Sequence, residues 1–383
     1  MKVGLDLSPI IYHRGVSRYT SNLFAALAEI EDLELFAYAS AGRGQAVLKN
    51  DLKKLGRTLP ATKQEQFWQN LCLQKIPPKL NFWLWHYLKT NHIKKCLPQI
   101  EVFHSWDYLQ PPDTNLPLVS TIHDLAILKN PQIAHPEILR HHQQSWQILK
   151  QRNAHIIAVS QATKKDVIEL LGFPEDHVHL VYEALPQEQM VALEKLTPNY
   201  IQSVKDKFNL TKPFFLFVGT REPRKNLQRL IEAWQPLKEQ TQLVLVGSSG
   251  WDEPNANEKN LKVLPATDSQ ELAALYKAAL ALTFPSLDEG FGLPILEAFY
   301  YQTLVMTSKK IATSEVAGEA AFLIDPLNVE EMTATLKEIL NLTATDKKIW
   351  QVKMQKQLAK FSWTKAAQET YQVYQQAYQD FYA

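Results

Sequence analysis

The stretch that most limits how this chain can fold is residues 279–299. Ala279-Leu280-Ala281-Leu282-Thr283-Phe284 is an apolar run of the length a buried parallel strand needs. Residues 293–301 carry helical spacing, with Pro294 placed for a first turn. Between them lies Pro285-Ser286-Leu287-Asp288-Glu289-Gly290-Phe291-Gly292. A strand that passes through a glycine loop into a helix aims unpaired N–H groups and the positive end of the helix dipole above a sheet. Gly290 and Gly292 let the backbone approach whatever sits there. An anion is the natural ligand, yet Glu289 in the loop and Glu297 in the first helical turn would repel a bare phosphate. Hydroxyls flanking the phosphate resolve the conflict, and a nucleotide-sugar offers them on its sugar and its ribose.

The rest of the chain repeats this alternation. Residues 2–7 read as a strand, Tyr19, Leu23, Leu27 and Ile30 recur at helical spacing, and residues 33–38 read as the next strand. In a doubly wound sheet, ligands sit outside the carboxyl ends of the strands. Loop 12–18, with His13, Arg14, Gly15 and Arg18, should therefore face a ligand crevice. So should His123 and Asp124, which follow the apolar run 118–122. Ser160, after residues 155–159, is suited to cap a helix. A second unit opens with the strand-like run 214–219, ending at Gly219 and followed by Thr220-Arg221-Glu222-Pro223-Arg224-Lys225-Asn226. A guanidinium beside an ammonium at a strand-to-helix junction is the combination that neutralises a diphosphate. A chain of 383 residues is too long for one ordinary core. The expected fold class is α/β, with two Rossmann-like domains facing a cleft, residues 1–185 and residues 186–364, and a final helix over residues 365–383.

Glu289 and Glu297, within Glu289-Gly290-Phe291-Gly292-Leu293-Pro294-Ile295-Leu296-Glu297, resemble the paired-glutamate signature of the retaining glycosyltransferases of family 4, which have the two-domain GT-B architecture. Thr121-Ile122-His123-Asp124-Leu125 and Glu222-Pro223-Arg224-Lys225-Asn226 are similar to further stretches of that family. The resemblance implies a metal-independent hexosyltransferase without a cofactor, its nucleotide-sugar donor, GDP-mannose by analogy, being a substrate. Arg224, Lys225, Gly219 and the amides of Gly290, Phe291, Gly292 and Leu293 would hold the diphosphate, and the sequence leaves open whether Arg221 or Arg224 is the main phosphate arginine. Glu297 would take the ribose, and Glu289 and His123 the transferred sugar. Gly15, Arg14, Arg18, Asp124 and Ser160 would lie toward a glycan or lipid-linked acceptor. Two other readings stay open: a non-catalytic nucleotide-sugar-binding scaffold, and a sugar-nucleotide epimerase of the same architecture.

Composition excludes several classes. The formal net charge is +1, which argues against binding nucleic acid by bulk electrostatics. Only Cys72 and Cys96 are present, so neither a disulfide framework nor a cysteine-rich metal site is expected, and a reducing, cytoplasmic setting fits. No histidine spacing matches a metal site, and His135, His141 and His142 read as surface residues of an exposed helix. No run of eighteen apolar residues occurs. Residues 43–95 show no strand period. Their aromatics Phe67, Trp68, Phe82, Trp83, Trp85 and Tyr87, interleaved with lysines, read either as core or as a peripheral contact with a membrane surface.

Overall fold

The computed structural model describes residues 1–13, 15–131, 136–250, 258–265 and 267–383, so Arg14 and His135 lie outside the described residues. The chain divides into two units: Met1–Glu183 with Ser362–Ala383, and Ala184–Phe361. Each unit is a parallel sheet with helices in the crossovers.

The sheet of the first unit has seven strands: β1 (Lys2–Asp6), β2 (Glu34–Ser40), β3 (Leu71–Gln74), β4 (Val102–Trp106), β5 (Leu118–Ile122), β6 (His155–Ala158) and β7 (Val178–Leu180), in the order β3-β2-β1-β4-β5-β6-β7. The second unit has β8 (Phe214–Val218), β9 (Gln242–Val246), β10 (Leu261–Leu264), β11 (Ala281–Phe284), β12 (Leu304–Ser308) and β13 (Phe322–Ile324), in the order β10-β9-β8-β11-β12-β13. All pairings are parallel. Strands covered on both faces must be apolar throughout. Every residue of β4, β5, β9, β11 and β12 is accordingly buried.

In each order the winding reverses once, between β1 and β4 and between β8 and β11. The crevice outside the carboxyl ends at such a reversal is where doubly wound sheets bind ligands. Both sequence motifs of the second unit fall there. Gly219 follows β8 directly, Pro285 follows β11, and the two strands pair through Ala281↔Phe215 and Leu282↔Leu216.

The last helix, Trp363–Tyr382, belongs to the first unit, where it packs against the helix Gly15–Leu27 and against β4, β5 and β6. Its buried stripe is Ala366, Ala367, Thr370, Val373, Tyr374 and Ala377. The Tyr374 hydroxyl meets His104 Nδ1 at 2.7 Å, and His104 Nε2 meets Thr121 Oγ1 at 2.8 Å. This chain of polar contacts through an otherwise apolar interface fixes the register of the helix on the sheet.

Several expectations are corrected. Residues 43–95 contain the helices Gln45–Thr58 and Ala61–Gln69 and the strand β3, which is too short and too half-buried to show a period of two. Cys72 lies on β3, and the fold joins it to Cys96 in a disulfide with Cα atoms 6.0 Å apart. The cysteine count therefore gives no support to a reducing compartment. Phe67, Phe82 and Trp85 are core, whereas Trp68, Trp83 and Tyr87 are about half exposed. His141 and His142 are only part exposed: the His141 ring stacks on Phe82 at 3.9 Å, and His142 pairs with Asp107 at 3.3 Å. Among the described residues no helix is long and apolar enough to cross a membrane.

Two glycines close the carboxyl ends of neighbouring strands. Gly219 and Gly247 have φ of +152° and +141°, and a Cβ on Gly247 would overlap the Gly219 carbonyl. Gly247→Ala is expected to destabilise the protein by about 2 kcal/mol or more. Gly15→Ala, at a position where a Cβ meets nothing within 4 Å, should be neutral or slightly stabilising. Denaturant unfolding of the two variants checks the contrast, and equal stabilities would refute it.

Candidate functional site

The loop after β8 enters a single turn of 3₁₀ helix, Pro223–Lys225, that ends at Asn226 in the left-handed region, φ +59°. Asn226 Nδ2 donates to the carbonyls of Pro285 and Pro326 at 3.1 and 2.6 Å, and Leu287 N donates to Arg224 O at 2.7 Å. These bonds bind the basic loop to the loop after β11. The result is a compact charge cluster. Glu289 Oε2 lies 2.9 Å from Arg224 Nη1, Glu289 Oε1 2.5 Å from Lys225 Nζ, and Arg224 Nη2 2.7 Å from Glu222 Oε1. Lys225 also sits 4.8 Å from the centre of the Phe284 ring.

Burial works against the charge on Glu289, but Lys225 and Arg224 override it and hold the carboxyl at about 2. Burial draws the Lys225 ammonium down and the charge of Arg224 adds to that, while Glu289 opposes both. Both shifts are downward, which favours the charge on Glu289 and works against that on Lys225: the carboxylate has two opposite charges beside it, whereas the ammonium has a like charge beside it as well as burial to overcome. Glu289 is therefore ionised at neutral pH.

Beside this cluster Gly292, with φ +116°, leads into the helix Leu293–Tyr300, whose Pro294 occupies the first turn. Gly290, Phe291 and Gly292 are buried, and Leu293 is half-buried. Phe291 meets Phe361 edge-on at 5.8 Å, a contact that helps to anchor the loop. Glu297 is 1% exposed and accepts a 2.8 Å hydrogen bond from the Tyr276 hydroxyl. Arg221 donates from Nη1 to the Gly247 carbonyl at 2.9 Å, so of the two arginines the one seated against Glu289 is Arg224.

In the first unit His123 follows β5. Its Nδ1 is 3.0 Å from Glu183 Oε1, and its ring lies edge-on to Tyr19 at 4.8 Å and stacks on Trp106 at 6.3 Å. The other ring nitrogen, Nε2, is buried and finds no hydrogen-bond partner among the described residues. Burial lowers the His123 pKa, but the hydrogen bond and charge of Glu183, helped by Asp107 and Asp124, outweigh it and the net shift is upward. Asp124 accepts from Ala126 N at 2.9 Å, and Ser160 accepts from Thr163 N at 3.0 Å. Ser160 is the N-cap of the helix Gln161–Asp166, whereas Asp124 closes an Asx turn just before the helix Ala126–Lys129. Gly15 and Arg18 are not in a loop but in the first turn of the helix Gly15–Leu27.

Two residues of these constellations escape a reading of the sequence. Glu183 stands beyond the short strand β7, and only the pairing of β5, β6 and β7 brings it to His123. Tyr276 lies on the helix Ser269–Ala278, outside any sequence motif, with no local signal.

Two family models cover most of the chain: Glycosyltransferase Family 4 over residues 13–188 and Glycosyl transferases group 1 over residues 201–357. The chain belongs to glycosyltransferase family 4. It is 27% identical to the O-antigen chain mannosyltransferase B of Escherichia coli, over 98% of this chain and 99% of that one. It is 29% identical to the serotype-specific mannosyltransferase WbdA of Escherichia coli, over 69% of this chain and 34% of that longer protein. The fold matches the crystal structure of a glycosyltransferase from Rickettsia africae with a TM-score of 0.73 at 16% identity, covering 98% of each chain. The protein is thus a glycosyltransferase of the GT-B fold, and Glu289 and Glu297 lie within the residues that the Glycosyl transferases group 1 model matches.

Two outcomes follow. Holding the Glu289 carboxyl at about 2 instead of 4.5 stabilises the folded state by about 3 kcal/mol at neutral pH. That contribution is present above 4.5 and is lost as the pH falls toward 2. Glu289→Gln should therefore lower stability to urea at pH 7, with the gap to wild type narrowing below pH 4.5; a gap independent of pH would contradict the ion-pair account. For His123 the sign is opposite, since a raised pKa contributes stability below 6.5 that disappears as the pH rises through the folded value. Glu183→Gln should move the His123 titration downward by NMR, and an unmoved titration would show that Glu183 does not set it.

Proposed function

We propose that the protein is a retaining hexosyltransferase that transfers mannose from GDP-mannose to a polysaccharide or lipid-linked glycan. The observation that carries the reading is the cluster Arg224, Lys225 and Glu289 beside the amino end of the helix Leu293–Tyr300, at the winding reversal of the second sheet. Two cations and a row of backbone amides converge there, the arrangement that stabilises negative charge growing on a leaving diphosphate. In the free protein Glu289 balances both cations and keeps them in place. An arriving diphosphate takes over those cations, and Glu289 becomes an acceptor for hydroxyls of the hexose. Glu297, oriented by Tyr276, takes the ribose hydroxyls. His123, oriented by Glu183, is assigned to the hexose, with Nε2 as the contacting atom.

In the transfer step the bond between the sugar's anomeric carbon and the diphosphate oxygen breaks, and a bond from an acceptor hydroxyl oxygen to the same face of that carbon forms. The acceptor proton passes to the departing diphosphate. Arg224 and Lys225 make a divalent cation unnecessary to this charge balance. Support for mannose comes from the relatives, O-antigen chain mannosyltransferase B of Escherichia coli among them.

Calorimetric titration of GDP, UDP and ADP tests the donor site. GDP should bind at micromolar affinity, and Lys225→Ala should weaken it tenfold or more and reduce turnover further. Preference for UDP or ADP would overturn the choice of donor. Unchanged binding and turnover in Lys225→Ala would overturn the phosphate assignment. Release of GDP that accelerates with added glycan acceptor separates transfer from a binding scaffold and from epimerisation.

A further inference from the structure

We infer that the first unit carries a binding site for a divalent transition metal of the zinc class, formed by His155, His177 and Asp380 with His179 behind them. It lies at the edge of the sheet away from the carboxyl ends of the strands. His155 opens β6, whereas His123 stands beyond the carboxyl end of β5. The inference does not rest on the glycosyl-transfer reading.

Strand periodicity assembles the cluster. His177 and His179 are separated by one residue, so their side chains share one face of β7 and the turn before it, and the register Ile157↔His179 puts His155 on that face too. The same face is covered by the C-terminal helix, whose Asp380 reaches down from its last turn. The ligand atoms of His155, His177 and Asp380 all lie within 4.8 Å of one another. His155 Nε2 is 3.2 Å from Asp380 Oδ2, close to the ~3.3 Å that separates two ligands of a tetrahedral zinc with bonds near 2.0 Å. His177 is half-buried in a single turn and Asp380 is exposed near the chain end, so both can move the remaining ångström. The pocket there, about 510 Å³, is lined by His155, His177 and Asp380 together with Arg152.

Three further observations point to a cation. His155 is 2% exposed, yet its Nε2 has no hydrogen-bond partner among the described residues and faces a carboxylate. His155 Nδ1 lies 2.9 Å from His179 Nε2, the kind of outer contact that orients a metal-bound imidazole. Stacked imidazoles, with His155 and His177 centroids 4.4 Å apart and His155 and His179 5.2 Å apart, are costly if charged and favourable as neutral ligands. The nearby cation does not compete, because the Arg152 guanidinium donates to the carbonyls of Pro111, Asp113 and Leu116. Two or three imidazoles with one carboxylate suit zinc better than magnesium or calcium, which prefer all-oxygen sites.

A metal here would fasten the end of the chain to β6 and β7. The test uses full-length protein without an affinity tag, stripped with chelator and then dialysed against zinc. One zinc per chain should be retained, and the melting temperature should rise by roughly 5–10 °C at a hundredfold excess over Kd. His177→Ala and Asp380→Asn, both at the surface and able to fold, should each weaken zinc affinity at least tenfold. The C-terminal helix should show slower amide exchange with zinc in wild type only. Failure of the folded wild type to retain zinc overturns the site, as does retention at wild-type affinity by either variant.

Discussion

One buried carboxylate between two cations ties together the loops at the carboxyl ends of the two central strands of the second unit. Arg224 and Lys225 come from the loop after β8, Glu289 from the loop after β11, and those strands are neighbours only because the winding of the sheet reverses between them. Like charges side by side in a buried loop would repel, and a lone buried carboxylate would protonate. Together, the cations hold the carboxylate ionised and the carboxylate offsets part of the burial cost of Lys225. The hydrogen bonds of Asn226 to Pro285 and Pro326 supply the rigidity that keeps the cluster from relaxing into solvent. A preorganised set of charges is what a transferase needs when its leaving group gains negative charge.

The first unit solves a similar problem with a single histidine. Tyr19, Trp106 and Glu183 leave His123 one orientation, and the aromatic walls exclude water from one face of the ring. The opposite edge of the same sheet gathers three more histidines beneath the C-terminal helix. One parallel sheet thus offers two chemically distinct ends, because all strands run the same way and their carboxyl ends collect on one side.

Much of the layout of the second unit's loops is legible in order along the chain. A strand, a glycine loop and a helix start are local events, and the apolar run before Gly219 and the one before Pro285 mark their own positions. Loop 12–18 was read less well, since Gly15 and Arg18 already belong to a helix, where helical spacing begins earlier than the glycine suggests. The strand β3 was missed because an edge strand of four half-buried residues has no apolar signature. With it went the link between Cys72 and Cys96.

The sequence by itself determined the alternation of strands and helices, the division into two units, and the residue types at the carboxyl ends of β5, β8 and β11. These follow from periodicity and from short-range backbone chemistry. Only the tertiary structure decided which charges meet: Arg224 rather than Arg221 against Glu289, Glu183 behind His123, Tyr276 on Glu297, and Asp380 above His155. Partners in each of these pairs stand on different elements, and strand order and register, which no local pattern encodes, bring them within hydrogen-bonding range.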